Sequence, residues 1–423
     1  MADEPEKPEN ENALPLITPN LLNSMRKSEG VLPFWRKAFL LILLLFIVLS
    51  GAALLTFQAL NRNRQPAHSV ISSNSNGAMF GFDLQRTHFN STERILSVAN
   101  VSHLVVSWSL STGNVIISSP TVANGIVYTG SFNGTFYACN TRTGKIVWVT
   151  RATSTIGSSA AFAQGIVYVG SDDHKLYAFN ARTGAIIWTA TTDADIWSSP
   201  VVANGVVYVG SNDNRLYAFN GLTGATLWTY TTGDQVSSSP AVYQGVVYVG
   251  SEDDEFYALD ARTGKLRWVT RVRLPIRISS PAVVNGVVYI GSEDGQLYAF
   301  DARTGKIIWT AQTGGFIHSS PAVANGVVYI GSTDRGLYAF DAATGKRIWA
   351  AFSENVIDSS PTVANGVVYV GSQDHKLYAF DTRTGKTLWS YSAGNGIDSS
   401  PTIVDGTLYV GSWDGKLYAF RLA

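Results

Sequence analysis

The chain has 423 residues, is 45% hydrophobic and 15% charged, and balances 31 basic against 31 acidic residues. That balance excludes a strongly basic nucleic-acid binder, and the apolar content excludes a disordered chain. A single cysteine, Cys139, excludes an intrachain disulfide or a cysteine-based metal cluster, while 39 glycines and 12% aromatic residues point to an all-β chain with many turns.

Residues 1–37 are read as a cytoplasmic tail, rich in Pro, Glu and Asn at its start (EPEKPENEN). Residues 38–60, AFLLILLLFIVLSGAALLTFQAL, carry no charge and as a helix would span about 35 Å, enough for a bilayer core. A signal peptide would have a shorter apolar core nearer the terminus. We therefore expect an uncleaved transmembrane helix. Arg26, Lys27, Arg36 and Lys37 precede it and Arg62 and Arg64 follow, which places the amino terminus in the cytoplasm and the bulk of the chain outside the cytoplasm. Residues 61–99 are a polar linker (NRNRQPAHSVISSNSNG at 61–77) and a lead-in.

From residue 100 the chain repeats. Trp108, Trp148, Trp188, Trp228, Trp268, Trp309, Trp349 and Trp389 recur at a spacing of 40, once 41. SSP or SSA recurs in the same register, starting at Ser118, Ser158, Ser198, Ser238, Ser279, Ser319, Ser359 and Ser399. Such a period means a propeller, solenoid or array. Residues 319–349 decide for the propeller. SPAVA is a short strand, Asn325-Gly326 a hairpin turn, VVYIGS a second strand, LYAF a third, DAATGK a turn and RIWAAF a fourth. Four antiparallel strands make one blade. Pro in seven of the eight SS motifs removes a ladder donor, which suits an innermost strand with a free edge facing the central channel. The chain ends after the third strand of the last repeat, and a spare fourth strand, LVVSWSL, precedes the first SSP. The expectation is an eight-bladed propeller over 100–423, closed by its amino-terminal strand.

The motif Ala-x-Asp/Asn-x-x-Thr-Gly-x-x-x-Trp, as in Ala299, Asp301, Thr304, Gly305 and Trp309, occurs in seven blades. It resembles the tryptophan-docking motif of the quinoprotein, or PQQ-repeat, propellers, and the lead-in 81–108 resembles the segment that opens quinoprotein dehydrogenase propellers. That family includes eight-bladed quinoprotein dehydrogenases and non-enzymatic BamB-type propellers. The resemblance implies that Trp148, Trp188, Trp228, Trp268, Trp309, Trp349 and Trp389 dock between adjacent blades. In the dehydrogenases it implies PQQ held over the channel with calcium, a catalytic Asp and often a vicinal disulfide. Here that disulfide is impossible and no blade carries a long insertion to build a pocket. No catalytic, cofactor or metal residue is therefore assigned. Asp173, Asp213, Asp253, Asp294, Asp334, Asp374 and Asp414, once per blade, are read as turn residues rather than calcium ligands. Asn90, Asn100 and Asn133 open N-x-S/T sequons.

Where copies agree, the residues are masonry; where they differ, they are informative. The residue before SSP or SSA varies most: Ile117, Gly157, Trp197, Ser237, Ile278, His318, Asp358 and Asp398. The blade with an extra residue adds RVRLPIR, with Arg271, Arg273 and Arg277. Trp197, Arg277, His318, Asp358 and Asp398 are the candidate ligand or partner residues at the channel mouth. The sequence reads as a membrane-anchored, extracytoplasmic scaffold for a protein or small ligand. A PQQ-dependent oxidoreductase is the alternative.

Overall fold

The computed structural model describes residues 77–423. The expected membrane span and cytoplasmic tail lie outside the described residues. Among the described residues no helix is long and apolar enough to cross a membrane.

Eight sheets, each with four antiparallel strands, follow one another around a ring, and Phe89–Asn90 adds a parallel strand to the innermost edge of one, beside Thr362–Ala364. Blade 2 is representative: Ala161–Ala163 innermost, then Ile166–Ser171, Lys175–Asn180 and, outermost, Ile186–Thr191. Its first hairpin, Gln164-Gly165, has φ of 51° and 80°, as a two-residue turn between twisted strands requires. The second strand is buried at every position, whereas the outermost strand alternates exposed and buried residues. Continuous burial explains why the second strands read as unbroken apolar runs: both faces of each blade are covered by neighbours. Each core cluster accordingly spans two blades. One joins Tyr128, Phe136 and Trp148 to Val167, Val169, Tyr177 and Phe179. Cys139 is fully buried in another, filling a Phe position.

The periodic tryptophans clasp neighbouring blades. Trp188 Nε1 donates to the Gly221 carbonyl at 2.9 Å, and its ring lies against Gly224, where a Cβ would come within 2.7 Å of the indole. The same bond recurs from Trp148 to Ala181, Trp228 to Ala261, Trp268 to Ala302, Trp309 to Ala342, Trp349 to Thr382 and Trp389 to Leu104. Trp108, outside the seven motif copies, makes it too, to Thr141 at 3.0 Å.

The serine pairs divide their work. The first accepts from its own blade, as Gly210 N donates to Ser198 Oγ at 3.0 Å. The second ties the next blade, as Ser199 N donates to Ser239 Oγ at 2.9 Å, and the relay closes when Ser400 N donates to Ser119 Oγ at 3.0 Å. Closure of the last blade is as expected: Leu104–Ser111 pairs antiparallel with Lys416–Leu422.

The innermost edge is a correction. It was expected to face an open channel, but residues 77–90 run along it. Carbonyls of Gly77, Ala78, Leu84, Gln85, Thr87 and His88 accept from Val122, Phe162, Val242, Val283, Val323 and Val363 at 2.7–2.9 Å. Backbone N–H groups taken out of water need partners, and the lead-in supplies them. Asn90 Nδ2 reaches Ile403 O in the last blade at 2.8 Å. Arg86 is fully buried and donates to Pro240 O (2.6 Å), Ser199 O (2.7 Å) and Phe80 O (2.9 Å). Burial pulls its guanidinium down to about 9, so it is still charged at neutral pH. His88, beside it, is held neutral: burial and then the Arg86 charge push it down to about 3. Phe82, Arg86 and His88 all adopt positive φ, which costs on the order of 1 kcal/mol each and is offset by these bonds.

Two substitutions separate backbone strain from the clasp. Gly205 and Gly224 both have φ near +75°, at 78° and 72°, but only Gly224 faces an indole; nothing lies within 4 Å of a Cβ on Gly205. Gly205→Ala should cost about 1–2 kcal/mol. Gly224→Ala should cost about 1–3 kcal/mol more, measured by urea denaturation; equal losses would remove the clasp interpretation. Arg86→Met should cost about 3–5 kcal/mol in the same assay, because it strands buried carbonyls.

Candidate functional site

On one side of the ring each blade turns at Ser-x-Asp, or Ser-x-Asn in the first. The Asp pins that turn. Asp213 Oδ2 accepts from Tyr217 OH at 2.6 Å and from Asp193 N, in the loop that follows the outermost strand of the preceding blade, at 2.9 Å, while Oδ1 accepts from Arg215 N at 3.1 Å. Asp253 and Asp374 repeat the set. Their lone pairs are committed to turn closure, as read from the sequence.

A pinned turn fixes the residue at x, and this second variable position is what sequence comparison missed: Phe132, Asp172, Asn212, Glu252, Glu293, Thr333, Gln373 and Trp413. The residue before the serine pair slots between the x residues of its own and the preceding blade. Ser237 Oγ shows the pattern, bonding Asn212 Oδ1 at 3.1 Å and Glu252 Oε1 at 2.9 Å. The signal was available, because x varies between copies as freely as the position that was singled out.

The two columns form one arc of linked polar groups. Arg277 Nε lies 3.2 Å from Glu252 Oε2 and 3.5 Å from Glu293 Oε1. His318 Nε2 is 3.4 Å from Glu293 Oε1, a charge contact without hydrogen-bond geometry, and its Nδ1 is 3.2 Å from Asp358 Oδ1. Gln373 Nε2 then bridges Asp358 Oδ2 at 3.0 Å and Asp398 Oδ2 at 3.5 Å. Four of the five candidate residues, Arg277, His318, Asp358 and Asp398, are thus brought together through Glu252, Glu293 and Gln373. Trp197 stands apart and packs edge-to-face on Phe132, ring centroids 6.3 Å apart. Gly157 makes room: a Cβ there would meet Ile117, Phe132 and Trp197. The mouth therefore has a charged arc and an apolar arc, with the Trp197 and Trp413 rings each 38% exposed. Arg271 is not part of it; it pairs with Asp254 at 3.2 Å on the exposed outer edge.

The arc is electrostatically loaded. The Asp358 hydrogen bond raises the His318 pKa against its partial burial, with Glu293 adding to it, which favours the protonated imidazole. Burial, then the Asp358 charge, pushes Asp398 up to about 7, and its Oδ1 is buried without a partner. Arg277, joined by His318 when it is protonated, therefore faces three carboxylates, Glu252, Glu293 and Asp358, and a fourth, Asp398, on the edge of ionisation. Such a site attracts and orients a positively charged group. Among the described residues no cluster of three or more His, Cys, Asp or Glu has metal-holding geometry. A cleft of about 550 Å³ lies on the other side of the ring, between the last and first blades. The Thr141 carbonyl on its wall is spent on closure, accepting from Trp108, Tyr409 and Arg421. Of the sequons, Asn90 is 3% exposed and bonded into the ring, and Asn133 is bonded to Thr112 O.

The raised Asp398 pKa has a definite sign. Between the unfolded value near 4 and the folded value of about 7, the folded chain holds a proton that the unfolded chain has lost. Stability from this group is therefore full below pH 4 and falls as the pH rises to 7. Asp398→Asn should stabilise the protein at pH 8 by about 1–3 kcal/mol and leave it unchanged at pH 4, read from urea midpoints. A gain independent of pH would contradict the assignment.

Comparison with solved structures finds the same ring. BamB from Moraxella catarrhalis is 22% identical, covering 75% of this chain and 99% of that one, with a TM-score of 0.67. The computationally designed Ika8 protein is 18% identical over 75% of this chain and 99% of that one (TM-score 0.68). Quinohemoprotein alcohol dehydrogenase from Comamonas testosteroni is 18% identical over 82% of this chain and 80% of that one (TM-score 0.71). At these identities the likeness is one of fold. Comparison with curated proteins gives no significant match. The family model described as outer membrane protein assembly factor BamB matches residues 143–276, 223–316, 274–356 and 353–423. With the docking tryptophans, the serine relay and that match over 143–423 in hand, the chain belongs to the BamB family of PQQ-repeat propellers.

Proposed function

We propose that this protein is a non-catalytic, membrane-anchored extracytoplasmic scaffold that binds a protein or small ligand at the mouth carrying Trp197, Arg277, His318, Asp358 and Asp398. One observation carries the reading. In a ring whose repeats are nearly identical, the two positions that vary converge on one side as a bonded arc beside exposed indoles. Family membership supports it, since the matching model is named for an assembly factor. The uncharged stretch at 38–60, flanked by basic residues on its amino-terminal side, supports the anchor and its orientation.

A PQQ-dependent oxidoreductase is the competing reading, and the likeness to quinohemoprotein alcohol dehydrogenase keeps it in view. The residues present fit that cofactor poorly. PQQ is an anionic quinone, and the mouth offers it the carboxyl groups of Glu252, Glu293, Asp358 and Asp398, with Arg277 already shared between Glu252 and Glu293 and His318 already bonded to Asp358. Asp398, its carboxyl oxygen unpartnered, suits a cationic guest better.

Photo-crosslinkers at Trp413 and at Ala343 test the scaffold on the full chain in its membrane. A protein or ligand adduct should form at Trp413 and not at Ala343, and Asp358→Asn/Asp398→Asn should reduce it about tenfold or more. An adduct indifferent to both Asp residues would sink the site. Titration of the detergent-solubilised chain with PQQ and calcium should leave the quinone absorbance unshifted; a stoichiometric shift with dye-linked alcohol oxidation would replace the scaffold with the enzyme.

A further inference from the structure

Formal neutrality conceals a separation of charge between the two sides of the ring. Opposite the mouth lie the turns that join the third and outermost strands. Their third residue is Arg142, Arg182, Arg262, Arg303 and Arg383, and the residue after the turn glycine is Lys145, Lys265, Lys306, Lys346 and Lys386. All ten are exposed. Among the described residues none of the ten makes an ion pair, whereas on the mouth side Arg215, Arg271, Arg277 and Lys376 each do. Asp260, Asp301, Asp341 and Asp381 stand on the same side as the ten and accept hydrogen bonds within their own turns, and Asp260 also pairs with Arg267 of the adjoining outermost strand at 2.7 Å. With Asp405, and Glu93 accepting from Gly406 N beside it, they make six carboxylates against these ten cations together with Arg94 and Arg267.

The cations are interleaved with aliphatic side chains that no blade covers. Leu222, at a turn tip, is 64% exposed; Ile146, Ile186, Ile308 and Ile348, at the starts of outermost strands, are 48–54% exposed. Unpaired cations alternating with exposed aliphatics are the composition of a surface that lies on an anionic bilayer: the charges are drawn to phosphate headgroups and the aliphatics enter the interface. The pattern recurs in turn after turn around the ring, which fits a flat, laterally uniform partner rather than a compact one. The described chain also enters the ring on this side. Gly77 packs on Val404 and Val122, next to the Asp405-Gly406 and Asn124-Gly125 hairpins.

We infer that the rim of turns opposite the mouth rests on an anionic phospholipid surface, so that the variable mouth faces away from it. The nearness of a bilayer rests on reading 38–60 as an anchor; the chemistry of the rim does not.

The test uses the full chain in protein-free vesicles of phosphatidylcholine, with or without phosphatidylglycerol. Cys139 is fully buried, so a dye reports only from an introduced cysteine. Energy transfer to a headgroup-labelled lipid from a dye on Ala343→Cys should rise about twofold or more with phosphatidylglycerol and fall back at about 500 mM salt. A dye on Glu354→Cys, on the mouth side, should stay distant in both. Lys145→Glu, Lys265→Glu, Lys306→Glu, Lys346→Glu and Lys386→Glu together should abolish the rise, and the same five changed to Gln should weaken it. Transfer indifferent to phosphatidylglycerol, or a rise that survives both lysine sets, would overturn the inference. So would protection of these lysines from acetylation that appears in native membranes and is absent in phosphatidylglycerol vesicles, which would assign the rim to an acidic protein. Loss of the wild-type chain from phosphatidylcholine vesicles on carbonate washing would remove the anchor reading alone. Transfer that still rises with phosphatidylglycerol would then sustain the rim.

Discussion

The ring depends on the bond from a docking indole to a carbonyl of the next blade. A blade by itself is a four-stranded sheet with both faces apolar, and it has no way to bury them alone. The indole covers part of that face, and its N–H fixes the height at which the next blade sits. A single such bond is worth only about 1 kcal/mol net, but in a closed ring each is held by its neighbours. The serine relay repeats the arrangement near the axis, with Ser400 returning to Ser119. Closure demands that every step around the ring be alike. This is why the strings that build the clasp and the relay recur with so little change, and why a residue that enters the clasp only through its carbonyl, such as Ala181, Gly221 or Thr382, is free to differ.

The lead-in follows from the same demand. Eight innermost strands pointing their edges inward would leave a cylinder of unpaired N–H groups. A helix or sheet inside it would satisfy them only in part, because the donors are spaced around a circle. An irregular segment can follow the circle, and residues 77–90 do so at the cost of three non-glycine residues in the left-handed region. Where Pro200 and Pro240 begin their strands, the exposed groups are carbonyls, and there the lead-in offers the Arg86 guanidinium instead of its backbone. The axis is thereby closed by the chain itself, and what remains is a mouth whose walls are the variable residues.

Much of this was legible in the sequence because repetition supplies its own control. Eight copies of one blade made strands, hairpins and strand closure readable from Trp and SSP spacing alone. The lead-in occurs once, has no copy to compare, and bonds through backbone carbonyls that no side-chain pattern announces. The candidate site was half legible. His318, Asp358 and Asp398 stood out at the position before the serines. Glu252, Glu293 and Gln373 were hidden within turns whose flanking Ser and Asp drew attention as the constant feature. Trp197 varies too and is read as standing opposite the acidic patch, where its ring packs on Phe132 across Gly157. Variation marks freedom from the clasp, and only geometry shows which free residues meet.

The same logic bears on the composition. A net charge of zero excludes a uniformly basic surface, yet it is a sum over two unlike sides. In seven blades the turns that pin the mouth use a carboxylate, which accepts from the Tyr hydroxyl and from the loop N–H; in the first, Asn133 and Tyr137 both donate to the Thr112 carbonyl instead. Seven blades therefore place an Asp on that side whatever the function. The turns on the other side use Asp or Asn interchangeably, as Asp260 and Asn220 show by accepting the same backbone bonds. There the carboxylates are optional, and the side chains that point outward are free of structural duty. Arg and Lys fill that freedom in most copies without an ion pair to hold them. Charge that the fold requires says little about function; charge that the fold leaves free, and that recurs all the same, is where selection for a partner is to be sought.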